Sequence, residues 1–200
     1  MQNCVRSFPL FTPLQIKIVF WGSAYSGKTT TLRFIASKLR HYLVSEPLSI
    51  ETTDRHTLYL DYVPLEVPLT KSNTRSSCLI HLVTTTGQRR FLCTRERAAR
   101  GADAVVFVAD SNVEKKAENV RSYDELVTFT GHGKIPVLVQ ANKQDLKDVS
   151  NVEEIRKYLN LPMETEVIPT VATNGRGLGE LFFAALNQAL TGVSAVERID

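Results

Sequence analysis

Two hundred residues and 22.4 kDa suit one compact domain, which at this length buries roughly two-thirds of the surface its unfolded chain exposes. Hydrophobic residues at 43%, charged residues at 22% and a mean hydropathy of −0.10 exclude a disordered, collagen-like or membrane-embedded chain. Lys and Arg (24) against Asp and Glu (21) leave a net charge of +3, too small to point to nucleic acid as the main partner, and Cys4, Cys78 and Cys93, without metal-ligand spacing, fit reduced thiols in a cytoplasm.

An apolar segment, Leu14–Trp21, follows the N-terminal residues. It is short, Lys17 interrupts it, and it leads straight into a phosphate-binding sequence, so it reads as a strand rather than a secretion signal. Gln2 is not the glycine of a myristoylation site, Val196–Asp200 holds no prenylation cysteine, and no stretch approaches the ~20 apolar residues of a membrane span. No membrane anchor is expected.

Gln15–Trp21 is the first predicted strand. Leu32, Ile35, Ala36, Leu39 and Leu43 recur at three- and four-residue steps and predict a helix from about Lys28 to Leu43. Thr57–Val67 and Ser77–Thr84 read as consecutive strands joined by a polar stretch containing Lys71, Ser72 and Asn73; Pro64 and Pro68 place the first of them at an edge. Ala104–Ala109 and most of Ile135–Ala141 are continuously apolar, as central strands buried on two faces are. Val113, Ala117, Val120, Tyr123 and Val127 mark a helix between them. Thr165–Val171 reads as a further strand, and Leu178, Leu181, Phe182, Ala185, Leu186 and Ala189 mark the last helix. This alternation predicts an α/β fold of three layers around a mostly parallel six-stranded sheet with one antiparallel edge strand.

Directly after the first strand, Gly22–Thr29 matches G-x-x-x-x-G-K-[ST] in full and opens onto the first helix, the signature of a P-loop NTPase fold. A glycine-permitted loop turns successive backbone N–H groups toward phosphate oxygens, and the helix N-terminus adds a favourable dipole. Lys28 would pair with the terminal phosphates and Thr29 would offer its hydroxyl to Mg²⁺. Gly22, Ser23, Ala24, Tyr25, Ser26, Gly27, Lys28, Thr29 and Thr30 are the candidate phosphate-binding residues. The motif alone does not separate GTPases from ATPases or kinases.

Asn142-Lys143-Gln144-Asp145, after the strand Ile135–Ala141, makes that separation. A carboxylate accepts from both the ring N–H and the exocyclic amine of guanine, whereas adenine presents no such donor pair. Asp145 therefore selects guanine, Asn142 would tie this loop to the phosphate loop, and the stem of Lys143 would cover one purine face. Val171-Ala172-Thr173 ends the next strand, where a backbone N–H of Ala172 or Thr173 would meet the guanine carbonyl.

With these motifs in order the chain resembles the Ras-like small GTPases over about Gln15–Leu190. Thr57–Leu65, Thr86-Gly87-Gln88, Arg100–Asp103, Val106–Ser111 and Val171–Gly177 resemble, more narrowly, the bacterial MglA-type GTPases, a family that controls gliding motility and cell polarity. The resemblance implies a GTPase domain over 15–191 between an N-terminal extension, 1–14, and a tail, 192–200. It implies a switch that binds GTP/GDP with Mg²⁺ and hydrolyses GTP, Gln88 orienting the attacking water and Arg55 acting as an arginine supplied in cis. His56 stands between Arg55 and Thr57, where family members have adjacent residues. Thr57 is the expected switch threonine for Mg²⁺ and the terminal phosphate, with Thr52 and Thr53 nearby, and Gly87 would contact that phosphate through its backbone.

Two departures matter. The D-x-x-G aspartate of Ras-like enzymes, which holds Mg²⁺ through water, is replaced by Thr84-Thr85-Thr86-Gly87, as in MglA-type members. Asp61 is the candidate substitute metal ligand; the alternative is a solvent-facing edge residue between Leu60 and Tyr62. Ala24 stands where most such loops have glycine, and its methyl would slow hydrolysis by crowding the catalytic glutamine or arginine.

Arg89, Arg90, Arg95, Arg97 and Arg100 read first as a solvated or salt-bridged helix face and second as a partner surface, and His41, His56, His81 and His132 as structural. By resemblance the partners are a roadblock-type homodimeric GTPase-activating protein and effectors at the cell pole or motility machinery, the protein being cytoplasmic and brought to a pole by partners. The rival readings are a nucleotide-dependent scaffold with little or no GTPase activity, and a P-loop kinase or ATPase.

Overall fold

The computed structural model describes residues 14–51, 57–71, 74–86, 92–131 and 135–196. β1 (Leu14–Trp21) is central, with β4 (Thr74–Thr84) on one side and β5 (Ala104–Asp110) on the other, both parallel to it. Its alternating residues serve two cores. Ile16, Ile18 and Phe20 point to one face with α1 (Lys28–Lys38) and α5 (Leu178–Val196), through Leu32, Ile35, Leu178 and Leu181. Val19 and Trp21 point to the other, with α2 (Leu92–Ala99), α3 (Lys116–Thr130) and α4 (Val152–Tyr158), through Ala98, Ala99, Leu126 and Ile155. Three layers result, as expected.

β6 (Val137–Asn142) and the three-residue β7 (Val167–Pro169) continue the parallel sheet beyond β5. On the other side β3 (Thr57–Lys71) runs antiparallel to β4, and β2 (Leu48–Glu51) antiparallel to β3, giving the order β2-β3-β4-β1-β5-β6-β7. The sheet thus has seven strands rather than six. Four residues of β2 are too few for period-two alternation to register in the sequence. Its pairing with β3 ends at Tyr62, so Pro64 and Pro68 lie where β3 has no outer strand. There an isolated antiparallel bridge pairs Leu43 with Leu65, and the Val44 N–H donates to the Pro64 carbonyl at 3.1 Å.

α1 stops at Lys38 instead of continuing to Leu43. Leu39 leaves helical geometry (φ −100°, ψ 26°) and a 3-10 turn follows at Arg40–Tyr42. Leu39 and Leu43 still pack on the same core, which is why the apolar stripe outruns the helix. α5 extends to Val196, into the stretch expected to be a tail.

Candidate functional site

The C-terminal ends of β1, β4, β5 and β6 meet along one edge of the sheet, with β1 at the point where successive strands change side, the place where open α/β sheets bind ligands. Between β1 and α1 the chain turns through two glycines that nothing else replaces. At Gly22 (φ +155°) a Cβ would stand 2.4 Å from the Val108 carbonyl oxygen, and at Gly27 (φ +104°) 2.1 Å from Asn142 Nδ2. Tyr25 also takes a positive φ, 61°, and is 69% exposed. Lys28 is buried, its ammonium donating to the Gly22 and Ser23 carbonyls at 2.9 and 2.6 Å. Burial first, then the neighbouring Arg95 charge, push its pKa down to about 7, while Asp61 opposes them. A buried cation with a second cation for a neighbour, and a buried Ser23 hydroxyl with no hydrogen-bond partner among the described residues, make this loop chemically suited to a polyphosphate.

Asp61 is buried, which removes the solvent-facing alternative. The β3–β4 register sets Tyr62 opposite Val83 and hence Asp61 beside Thr84. The Thr84 hydroxyl donates to Asp61 Oδ2 (2.9 Å) and accepts from the Asp61 backbone N–H (2.8 Å). Thr29 donates to the same Oδ2 at 2.6 Å, and Ser49 of β2 donates to Oδ1. A carboxylate on the neighbouring strand thus stands beside the D-x-x-G slot and in contact with the phosphate-loop threonine. Among the described residues no three His, Cys, Asp or Glu side chains cluster as a metal cage. Thr29 and Asp61 instead form a sparse oxygen set suited to Mg²⁺, which keeps most of its water.

On the base side Asn142 does what its position suggests: Nδ2 donates to the Ser26 carbonyl at 2.8 Å, fastening this loop to the phosphate loop. Its Oδ1 accepts from the Ala172 N–H (3.0 Å), so that N–H is turned inward, and from the Thr170 hydroxyl (3.2 Å). Lys143 takes a left-handed conformation (φ 70°), and Asp145 and Thr173 are exposed beside it. Ser23, Ala24, Tyr25 and Ser26 lie in the loop, and Thr30 is exposed on α1.

Thr57 opens β3, but its side chain is not among those described. Thr52, Thr53, Arg55, His56, Gly87, Gln88, Arg89, Arg90 and His132 lie outside the described residues.

Several polar residues escape sequence reasoning. Gln140, fully buried in β6, donates to the Thr31 and Thr170 hydroxyls at 2.9 Å each and so ties α1 to the base side. Its signal was a glutamine inside an apolar run. Ser49 gave none. Of the arginine run, Arg95 takes the salt-bridged reading rather than the solvated one, and its burial was not foreseen: it is 1% exposed, over the Trp21 ring at 5.7 Å and ion-paired with Glu125 at 2.6 Å. Arg97 and Arg100 are exposed. His41 is exposed, and half-buried His81 pairs with the Tyr62 hydroxyl at 2.8 Å.

The family model of the ADP-ribosylation factor family matches residues 79–189. Mutual gliding-motility protein MglA of Myxococcus xanthus (strain DK1622) is 36% identical over 166 residues, 78% of this chain and 83% of that protein. ADP-ribosylation factor-like protein 3 of Caenorhabditis elegans is 26% identical over 163 residues, 80% of this chain and 78% of its own length. A Ras and EF-hand domain-containing protein homolog of Mus musculus is 37% identical over 137 residues, 68% of this chain and 20% of that protein. The strand-to-helix phosphate loop, the base-reading loop tied to it and these matches lead to one assignment: the chain belongs to the small Ras-like GTPases of the ADP-ribosylation factor family and is of the MglA type, a GTP-binding switch.

Proposed function

We propose that this switch controls motility or cell polarity, as the name of its Myxococcus relative suggests for that protein. GTP hydrolysis, general to the family, transfers the terminal phosphoryl group to water: the water oxygen bonds to phosphorus, the bond to the β-phosphate breaks, and GDP leaves. The Lys28 ammonium would exchange its loop carbonyls for phosphate oxygens, and the loop N–H groups would hold them. Bound Mg²⁺ would neutralise charge on the phosphates, held by Thr29, Thr57 and Asp61. Gln88 would orient the water, Arg55 would face the developing charge, and the Gly87 backbone and Thr57 would order two segments around the terminal phosphate. The Ala24 methyl would crowd Gln88 and Arg55, so hydrolysis would be weak until a partner seats them. That partner is a roadblock-type homodimeric GTPase-activating protein, with effectors at the cell pole or motility machinery and the switch cytoplasmic between visits. Among the described residues no helix is long and apolar enough to cross a membrane.

The observation that carries nucleotide binding is the Asn142–Ser26 bond, which sets the base-reading loop against the loop holding the buried Lys28. Asp145, Lys143, Ala172 and Thr173 would then surround the base. Asp145→Asn should weaken GDP binding strongly and shift preference toward xanthine, which exchanges a donor for an acceptor. Titration of both proteins with GDP, XDP and ADP tests this, and unchanged GDP affinity in the variant removes Asp145 as the base reader.

A further inference from the structure

Asp110 ends β5 beside Asn142 of β6 and is 3% exposed, yet nothing in the function above employs it. Its Oδ2 accepts from Lys143 Nζ at 2.7 Å, and its Oδ1 from the Asn112 N–H at 3.1 Å. The backbone around it is clamped separately: the Asn119 side chain accepts from the Asp110 N–H at 3.2 Å and donates to the Asp110 carbonyl at 2.7 Å. A buried carboxylate is thus fixed at the strand end with one ammonium for its charge.

Lys143 is held at its other end as well. Its backbone is left-handed, and the next residue is anchored by Gln144 N–H to the Thr170 carbonyl (3.2 Å) and by the Gln144 side chain to Ser111 Oγ (2.7 Å) and the Ser150 carbonyl (3.1 Å). A lysine stem has four rotatable bonds, and a lysine without a partner must lose that freedom when a base settles on it. Here both ends are tied beforehand.

We propose that Asp110 is a positioning residue for the nucleotide base: by taking the Lys143 ammonium it sets the lysine stem in place as a ready platform for one purine face. The proposal rests on the reading of Lys143 as the residue that covers the purine. Asp110 itself reads no edge of the base, so its contribution is the same for guanine as for hypoxanthine, which lacks the exocyclic amine. That equality separates positioning from a collapse of the loop, which would displace Asp145 and erase the preference for guanine.

The test is stopped-flow dissociation of fluorescently labelled GDP and IDP from the parent, Asp110→Asn, Asp110→Glu, Lys143→Met and the Asp110→Asn/Lys143→Met double variant. Asp110→Asn should release both nucleotides about tenfold faster, the scale of one lysine side chain's ordering. The GDP-to-IDP ratio should stay at the parent's value, Asp110→Glu should recover part of the loss, and the double variant should be no faster than the faster single. Parent-like release from Asp110→Asn with fast release from Lys143→Met overturns the proposal alone, as do effects that multiply in the double variant or a lost GDP-to-IDP ratio. Parent-like release from Lys143→Met overturns the platform reading itself. If Asp110→Asn does not fold, Asp110→Glu decides: parent-like release from it, against fast release from Lys143→Met, overturns the proposal.

Discussion

Among the described residues the Lys28 ammonium has only neutral oxygens as hydrogen-bond partners, and its pKa, pushed down to about 7 by burial and by Arg95, makes its charge depend on pH. In the unfolded chain a lysine keeps its proton to near 10.5. Between about 7 and 10.5 the unfolded state therefore binds more protons than the native one, and the nucleotide-free protein gains stability as pH rises through that window. Phosphate reverses the sign by favouring the protonated lysine, so above pH 7 binding takes up a proton and Kd rises about tenfold per unit. Calorimetric GDP titrations at pH 8 in buffers of different ionisation enthalpy should show uptake approaching one proton in the parent, absent in Lys28→Met. Equal proton counts would show that Lys28 is already charged. The lysine was legible because its motif is local. Asp61 allows two readings in the sequence because its burial comes from facing Thr84 across two strands, a register that neighbouring residues do not encode.

At the scale of elements, α2 divides the arginine run: Arg95 is salt-bridged as expected but buried, whereas Arg97 and Arg100 are exposed. Arg95, Ala98 and Ala99 are buried together at the i, i+3, i+4 spacing of one helical face. The sequence holds that stripe, but a helix of eight residues is too short for it to outweigh five arginines in twelve positions. Arg95 then joins α2 to α3 through Glu125 and to β1 through Trp21. Glu125→Ala should cost about 3 kcal/mol, since it takes a carboxylate at 2.6 Å away from a buried guanidinium. Arg95→Met with Glu125→Leu should cost less, because no buried charge remains. Urea unfolding of the three proteins measures both, and equal stability of parent and Glu125→Ala would mean that the pair contributes nothing. The long buried strands β5 and β6 were legible from composition; β2 was not, and with it Ser49's bond to Asp61 went unseen.

Across the whole molecule β1 divides the labour. On its β4 side stand Asp61 and Thr84, which face the phosphate-loop threonine; on its β5 side stand Asn142, Lys143 and Asp145, joined to the same loop through Ser26. The residues proposed for base recognition and for phosphate chemistry therefore sit on opposite halves of the sheet, and their effects should separate under mutation. Gln88→Leu should keep GDP and GTP affinity while losing the hydrolysis rate that a roadblock-type partner stimulates, because orienting water is a different task from binding. Asp61→Ala should chiefly raise the Mg²⁺ concentration that GTP binding requires, leaving the choice of guanine over adenine intact, since the hydrogen bonds of Asp61 among the described residues run to Thr29, Ser49 and Thr84. Single-turnover hydrolysis with and without the partner, across a Mg²⁺ series, reads both. Stimulation that survives in Gln88→Leu removes that residue from the water, and a parent-like Mg²⁺ dependence in Asp61→Ala removes the carboxylate from the metal. If the parent itself responds to no such partner, the Ala24 methyl has closed the phosphate half to catalysis while the base half still binds, and the molecule works by nucleotide occupancy alone.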